Sequence, residues 1–434
     1  MAGVDWVEHA VWWQVYPLGF VGAAHESPDD EPAEPHRLRR LVDWLDYARD
    51  LGVNGLALGP VFASSTHGYD TVDHLRIDPR LGDRSDFDAL VAAAHERGLR
   101  VLLDGVFNHV GRAHPLFEAA LAGGPEADLF RIHRDEAEPT WDCFEGHRDL
   151  VTLNHDSPAV ADLVADVMIH WLDAGADGWR LDAAYAVPPA FWGPVLARVR
   201  DKHPDVYVVG EVIHGDYPAI VAESTFDSVT QYELWKAIWS ALASANFWEL
   251  AWALDRHSEF VGAFAPWTFV GNHDVTRIAS QVDEALLPLA LVVLLTVGGT
   301  PAVYYGDEQA FRGVKEERFG GDDAIRPTFP ASPAELAPEG WWAYRLHQEL
   351  VGLRRRHPWL HRATTRTIEL TNEHLLYETR SGDDALLVAL NLHDEAWSVA
   401  VPDPTLVAGS ASIAAPGLTV PAHGWAILTG TPPE

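Results

Sequence analysis

Short apolar runs recur along the first 305 residues. Most are followed by a longer stretch whose apolar positions return every three to four residues. The short runs fall at 11–17, 55–60, 100–107, 177–182, 206–211, 226–230, 268–271 and 301–305. They read as strands buried on both faces, because few polar residues alternate with the apolar ones. The periodic stretches at 37–50, 86–97, 158–174, 189–202, 232–257, 284–296 and 341–356 read as helices. Gly52 and Gly98 stop two of them, and Pro158 opens another at its first turn. Loops are expected up to residue 35 and over 61–83 and 306–339. The segment 108–155 shows no period and reads as a small inserted subdomain.

Strands and helices alternating in this way predict an α/β chain: a (β/α)8 TIM barrel with a short insertion after strand 3. From residue 362 the period changes to two. Short runs at 367–370, 375–379, 385–391, 397–401 and 425–429 are split by Gly, Asp and Pro. They predict a C-terminal antiparallel β-sandwich domain. The organisation expected is therefore a barrel over 1–360, holding the 108–155 insertion, and a β domain over 361–434.

Four of the strand-like runs end in ionisable residues. They are Asp104-Gly-Val-Phe-Asn108-His109, Gly178-Trp-Arg180-Leu-Asp182, Val208-Val-Gly-Glu211 and Phe269-Val-Gly-Asn272-His273-Asp274. Arg180 and Asp182 are two apart, so on a strand they face the same way. Charge inside a barrel requires a partner or a ligand. A lone pair of this kind is as readily a buried brace. Four charged strand ends gathered at one barrel face form a site.

Composition narrows the partners. The formal charge of −33 disfavours nucleic acid and anionic membranes. The most apolar stretch, 286–297, is too short and Pro-interrupted to span a bilayer. The start of the chain carries no basic-then-apolar leader, and the expectation is a cytoplasmic protein. One cysteine, Cys143, excludes an internal disulfide framework and gives no Cys-based metal site. Eighteen tryptophans are many. Most, Trp12 and Trp13 among them, are expected in the core, but an indole also offers a flat face to a sugar ring.

Together the four strand ends resemble the signature regions of the α-amylase family of glycoside hydrolases. Asp104, Asn108 and His109 match D-x-x-x-N-H, and Arg180 and Asp182 match R-x-D. Gly210 and Glu211 match the G-E pair, and Asn272, His273 and Asp274 match N-H-D. Further matches are His67-Gly-Tyr69-Asp70, Leu153-Asn154 with Ser157-Pro158, and the run from Gly299 to Glu308. The resemblance covers the whole chain and implies a retaining mechanism. Asp182 would be the nucleophile, Glu211 the acid/base and Asp274 the third carboxylate that grips sugar hydroxyls. Arg180 would keep Asp182 ionised. His109 and His273 would donate to the sugar, and Tyr69 would be the platform beneath it. Asp104 is either a sugar contact or a brace for Arg180, and His67 and Asp70 either loop braces or sugar contacts. Arg326 matches a position that reaches the site.

One departure narrows the substrate. Calcium-dependent endo-acting relatives carry a Lys-His pair shortly after the nucleophile, where this chain has Tyr185-Ala186. No calcium-loop signature occurs elsewhere, so no metal or other cofactor is expected. The resemblance then implies a hydrolase of α-1,4 bonds in short maltooligosaccharides. The rivals are a transglycosylase or isomerase of the same family, such as a trehalose synthase or maltosyltransferase, and a non-catalytic sugar-binding protein. The sequence leaves the oligomeric state open.

Overall fold

Eight parallel strands form a ring: β1 Trp12–Val15, β2 Gly55–Leu58, β3 Arg100–Gly105, β4 Gly178–Leu181, β5 Tyr207–Gly210, β6 Ser228–Val229, β7 Trp267–Phe269 and β8 Thr300–Tyr304. The computed structural model describes residues 4–26, 36–134, 138–318, 320–414 and 417–431. The first three residues, and 27–35 of the loop expected up to residue 35, lie outside them. Neighbours in the sheet run β6-β5-β4-β3-β2-β1-β8-β7. The ring closes between β6 and β7 through one parallel bridge, Thr230 to Trp267, where the Gln231 amide donates to the Trp267 carbonyl at 2.9 Å.

Alternation along the strands sorts the side chains. Trp13, Val15, Leu56, Leu58, Val101, Leu103, Trp179 and Leu181 pack outward under the helices. Trp12, Ala57, Leu102, Tyr207, Val209, Trp267 and Ala302 fill the barrel interior. Trp12 stacks on Trp267 at 5.4 Å and on Tyr207 at 6.0 Å. Its ring lies so close to β2 that a Cβ on Gly55 would sit 2.3 Å from it. Because this aromatic plug fills the strands' N-terminal end, inward charge is confined to the other end. The β4–β3 register pairs Arg180 with Asp104 there.

The helices fall where periodicity places them, with local differences. The expected helix 37–50 is a 3-10 segment, Arg37–Trp44, followed by the α-helix Leu45–Leu51. The stretch 232–257 is two helices, Tyr232–Ala243 and Trp248–Val261. An unexpected helix, Tyr217–Ser224, stands between β5 and β6. Asp216 caps it by accepting from the Ala219 amide at 3.1 Å. The 108–155 segment has more order than its lack of period suggests. His109–Gly111 pairs with Leu150–Thr152, Ile132–His133 pairs with Thr140–Trp141, and Pro115–Leu121 is helical. Residues 135–137 lie outside the described residues. Among the described residues no helix is long and apolar enough to cross a membrane.

The C-terminal region is two antiparallel sheets. Five strands run Thr364–Leu370, His374–Ser381, Asp384–Asn391, Trp425–Thr429 and Thr405–Gly409 in spatial order. Three run Trp397–Val399, Gly417–Val420 and Ser412–Ala414. Period two places both faces of the larger sheet in core. Leu375, Tyr377, Leu386, Val388 and Ile427 join the barrel's outer core. Leu376, Leu387, Ala389, Ala426 and Leu428 pack on Trp397, Val399 and Leu418 of the smaller sheet.

Candidate active site

Arg180 is the hub of the charged end. It faces into the barrel from β4 and is 7% exposed. Its Nη1 donates to Asp104 Oδ1 and Oδ2 at 2.7 and 2.8 Å, and to Asp182 Oδ1 at 2.9 Å. Its Nη2 lies 2.7 Å from Glu211 Oε1. One buried cation thus ties three carboxyl groups from three neighbouring strands. Burial alone would weaken the Arg180 cation. Asp104, Glu211 and Asp182 outweigh it and raise its pKa well above the ordinary range.

The chain turns sharply after Asp182. Ala183 adopts φ 46° and ψ 35°, a left-handed conformation that costs a non-glycine residue about 1–2 kcal/mol. The turn aims the Ala183 amide at Glu211 Oε2, 2.9 Å away. The Tyr232 hydroxyl donates to Glu211 Oε1 at 3.2 Å, and Asn272 Nδ2 in turn donates to that hydroxyl at 2.9 Å. Glu211 is therefore held from three strand ends. Nothing in the sequence singles out Ala183 or Tyr232, because both roles depend on where the turn and the next helix place them.

Asp274 sits on the other wall. It is paired with His273 Nε2 at 2.9 Å and with Arg326 Nη2 at 3.1 Å. Arg326 Nε also donates to the His273 carbonyl at 2.9 Å, and its guanidinium lies 4.7 Å from the Tyr16 ring centre. His273 is sandwiched between Tyr69 (5.3 Å) and Tyr16 (6.2 Å), both rings within 6° of parallel. The Tyr69 hydroxyl also bonds His273 Nε2, and it donates to Asp104 Oδ2 at 3.2 Å.

The carboxyl groups are electrostatically distinct. Burial pushes Asp182 up to about 7, against the pull of Arg180 and with the push of Asp104 and Asp274. Arg180 pulls Asp182 toward its ionised form, as expected, and burial exceeds that pull. Burial likewise raises Glu211, helped by Asp182 and Asp274. Asp104 is raised to about 6 by burial. Burial also pushes Asp274 upward, but His273, Arg326 and Arg180 overcome it and hold the group well below the usual carboxylate range. Asp274, held ionised, thus stands apart from the three raised carboxyl groups.

Three residues expected to meet a ligand turn elsewhere. Both oxygens of Asp70 are taken by Thr66, by its amide at 3.1 Å and its hydroxyl at 2.7 Å, so Asp70 closes its own loop. His109 donates from Nε2 to the Tyr69 carbonyl at 3.1 Å and accepts at Nδ1 from Asn108 Nδ2 at 3.0 Å. Both ring nitrogens are occupied, and the ring stacks on Phe144 at 4.8 Å. Asp104, 1% exposed, lies beneath Arg180 and Tyr69 as their brace. Tyr16 and Phe144 were not legible in the sequence, since their stacking partners lie far along the chain.

A cleft of about 670 Å³ opens beside these groups, walled by Tyr16, His67, Tyr69, Asp274 and Arg326. Asp182 and Glu211 lie deeper, off its wall, at 8% and 6% exposure. Among the described residues one cluster could hold a metal, His36, Asp83 and Asp86. Its carboxylates are already spent on the cap of the helix Arg84–Glu96 and on Arg39 at 2.5 Å.

An α/β barrel that gathers Asp182, Glu211 and Asp274 at its strand ends carries the paired carboxyl groups that glycoside hydrolysis needs. A family model for the α-amylase catalytic domain matches residues 14–361. The chain is 30% identical over 429 residues to a cyclomaltodextrinase of Geobacillus thermopakistaniensis strain MAS1, covering 92% of this chain and 71% of that protein. It matches the acarbose-soaked Nostoc punctiforme debranching enzyme with a TM-score of 0.82 and 27% identity, over 99% of both chains. It matches the ligand-free cyclic α-maltosyl-(1→6)-maltose hydrolase of Arthrobacter globiformis with a TM-score of 0.83 and 25% identity, over 98% of this chain and 100% of that one. The chain belongs to the α-amylase family and is a glycoside hydrolase.

Proposed function

We propose that the enzyme hydrolyses α-1,4 bonds of short maltooligosaccharides with retention, through Asp182 and Glu211. The observation that carries this reading is the shared guanidinium. Arg180 grips Asp182 and Glu211 through adjacent nitrogens, at 2.9 and 2.7 Å. A retaining pair stands about 5–5.5 Å apart, with no room for a water between it and the sugar.

The steps follow from the surroundings of each group. Burial favours the protonated form of Glu211, which gives its proton to the leaving oxygen. Ionised Asp182 attacks the anomeric carbon, and the leaving sugar departs with the proton. Glu211, now a base, takes a proton from water, which displaces Asp182 and restores both groups. Asp274, held ionised by His273 and Arg326, accepts from sugar hydroxyls beside the cleft. Tyr69, stacked on His273, offers the sugar an aromatic face. No calcium enters this scheme. The Asn108 side-chain nitrogen donates to His109 Nδ1 at 3.0 Å, and the Asn108 backbone carbonyl accepts from the Leu153 amide at 3.0 Å.

Two of the whole-length structural relatives, named a debranching enzyme and a cyclic α-maltosyl-(1→6)-maltose hydrolase, favour a second reading of the bond, cleavage of α-1,6 links. A time course on maltotriose and panose, at low and high concentration with products separated by chromatography, decides between them. Glucose and maltose from maltotriose at both concentrations support the first reading. Panose cleaved only to glucose and maltose while maltotriose stays intact supports the second. Longer or rearranged sugars at high concentration assign a transferase.

A further inference from the structure

Nine of the eighteen tryptophans are buried, seven are partly buried and two are exposed. Trp248 and Trp252 are 56% and 59% exposed. They stand one turn apart on the helix Trp248–Val261, so their side chains share a face. None of the residues that wall the cleft comes from this helix.

Neither ring is loose. Trp248 Nε1 donates to Asn372 Oδ1 at 2.9 Å, and the Asn372 carbonyl accepts from the Phe247 amide at 2.9 Å. Asn372 lies between the strands Thr364–Leu370 and His374–Ser381, so the C-terminal sheet clamps the start of the helix. The Arg256 guanidinium lies 5.3 Å from the Trp252 ring centre. It is held there by a fork of bonds to Glu233, at 2.8 and 3.2 Å. Two indoles fixed in this way can be covered without the cost of ordering them.

The chemistry of the occupant follows from what is left open. The Trp248 N–H is spent, so the ring face is what remains for contact. The neighbouring groups are polar: Lys236 and Ser240 bonded to Glu249, and the Arg256–Glu233 pair. An apolar face among hydroxyl-binding groups suits a sugar ring. The charge of −33 opposes a second copy of the chain and any anionic partner. Two indoles among ion pairs are also more polar than the core of a stable dimer interface. We propose that Trp248 and Trp252 form a second glucan-binding site, which holds a neutral α-glucan chain on the outer surface of the enzyme. Its ligand class rests on the reading of the cleft given above.

The test uses the full-length enzyme in native gels with and without soluble amylose, beside turnover of maltotriose. In an Asp182→Asn background, which removes hydrolysis, amylose retards the protein, and excess maltotriose does not abolish the retardation. Trp248→Ala with Trp252→Ala weakens amylose binding about tenfold. The same pair in the active enzyme leaves kcat/KM on maltotriose within about twofold. Trp248→Phe with Trp252→Phe keeps most of the retardation. Unchanged retardation in the double Ala variant overturns the proposal. So does a dimer that becomes monomer on substitution while retardation persists, or maltotriose turnover that falls in step with retardation. A parent enzyme inert on maltotriose, whose retardation is nonetheless lost on substitution, sinks the cleft reading and leaves the surface site standing.

Discussion

Arg180 Nη1 reaches both carboxylate oxygens of Asp104, at 2.7 and 2.8 Å, from the facing register position on the neighbouring strand. Asp104 is thereby the anchor for the cation that also binds Asp182 and Glu211. Removing one partner of a buried pair leaves an uncompensated charge and costs about 3–5 kcal/mol. Asp104→Ala is expected to lose stability of that order in urea unfolding, and Asp104→Asn, which keeps the shape, less. Both lower kcat/KM on maltotriose, because Arg180 loses its fixed direction. An unchanged urea midpoint with unchanged turnover in Asp104→Ala contradicts the anchor role.

Glu211 and Asp182 are separable by leaving group. A glycosyl fluoride departs without a proton, so it needs the nucleophile and not the acid. Glu211→Gln is expected to lose about 10²–10⁴-fold in kcat on maltotriose and, on maltosyl fluoride, to release a rapid burst of fluoride of about one per enzyme before slowing, because the second step still lacks its base. Asp182→Asn loses activity on both substrates. If the two variants respond alike to the fluoride, the roles are misassigned.

The low-pH limb of kcat/KM reports the pair that contains Asp182. Burial pushes this group up to about 7, and the like charge of Asp104 contributes to the rise. Asp182 attacks only when ionised, so activity falls as pH drops through that region. Asp104→Asn removes one neighbouring negative charge, which favours ionised Asp182, and its acid limb moves to lower pH. A limb that stays in place or moves upward argues that another group controls it.

Much of this was legible in the chain. The barrel strands stand out because burial on both faces leaves them apolar until Asp104, Asp182 or Glu211 interrupts at the end. The spacing of Arg180 and Asp182 fixed their common face before any contact was known. Contacts made by folded loops were not legible. Asp70 looks like a site residue until Thr66 is seen holding both its oxygens. His109 matches its motif, yet the fold spends both ring nitrogens on Tyr69 and Asn108. The helix Tyr217–Ser224 escaped because only Tyr217 and Ser224 in it are buried, leaving no apolar stripe. The strands Thr405–Gly409, Ser412–Ala414 and Gly417–Val420 are too short to carry a strong period.

Calcium removal is expected to change nothing. The residues at the position of the family's ion are Tyr185 and Ala186. Tyr185 instead donates its hydroxyl to Glu145 Oε1 at 2.8 Å. Dialysis against a chelator should leave both the melting temperature and maltotriose turnover unaltered. A fall in either that added calcium restores would assign the enzyme an ion site.

Glu308 makes stability depend on pH from outside the site. It is fully buried, and it accepts from the Gly306 amide at 2.9 Å, the Tyr47 hydroxyl at 3.0 Å and Trp13 Nε1 at 3.4 Å. Those three donors favour its ionised form, but burial is larger and pushes it up to about 7 from 4.5. Between those values the folded chain holds a proton that the unfolded chain releases. The group's contribution to stability is therefore complete below about pH 4.5 and is lost as pH rises through about 7. The difference across that window is about 3 kcal/mol. Glu308→Gln imitates the protonated acid at every pH and has no such slope. Relative to the parent, the variant should gain about 3 kcal/mol between pH 4.5 and pH 8 in urea unfolding. A parent–variant difference that stays flat across this range means that Glu308 is ionised in the fold, and that its three donors outweigh its burial.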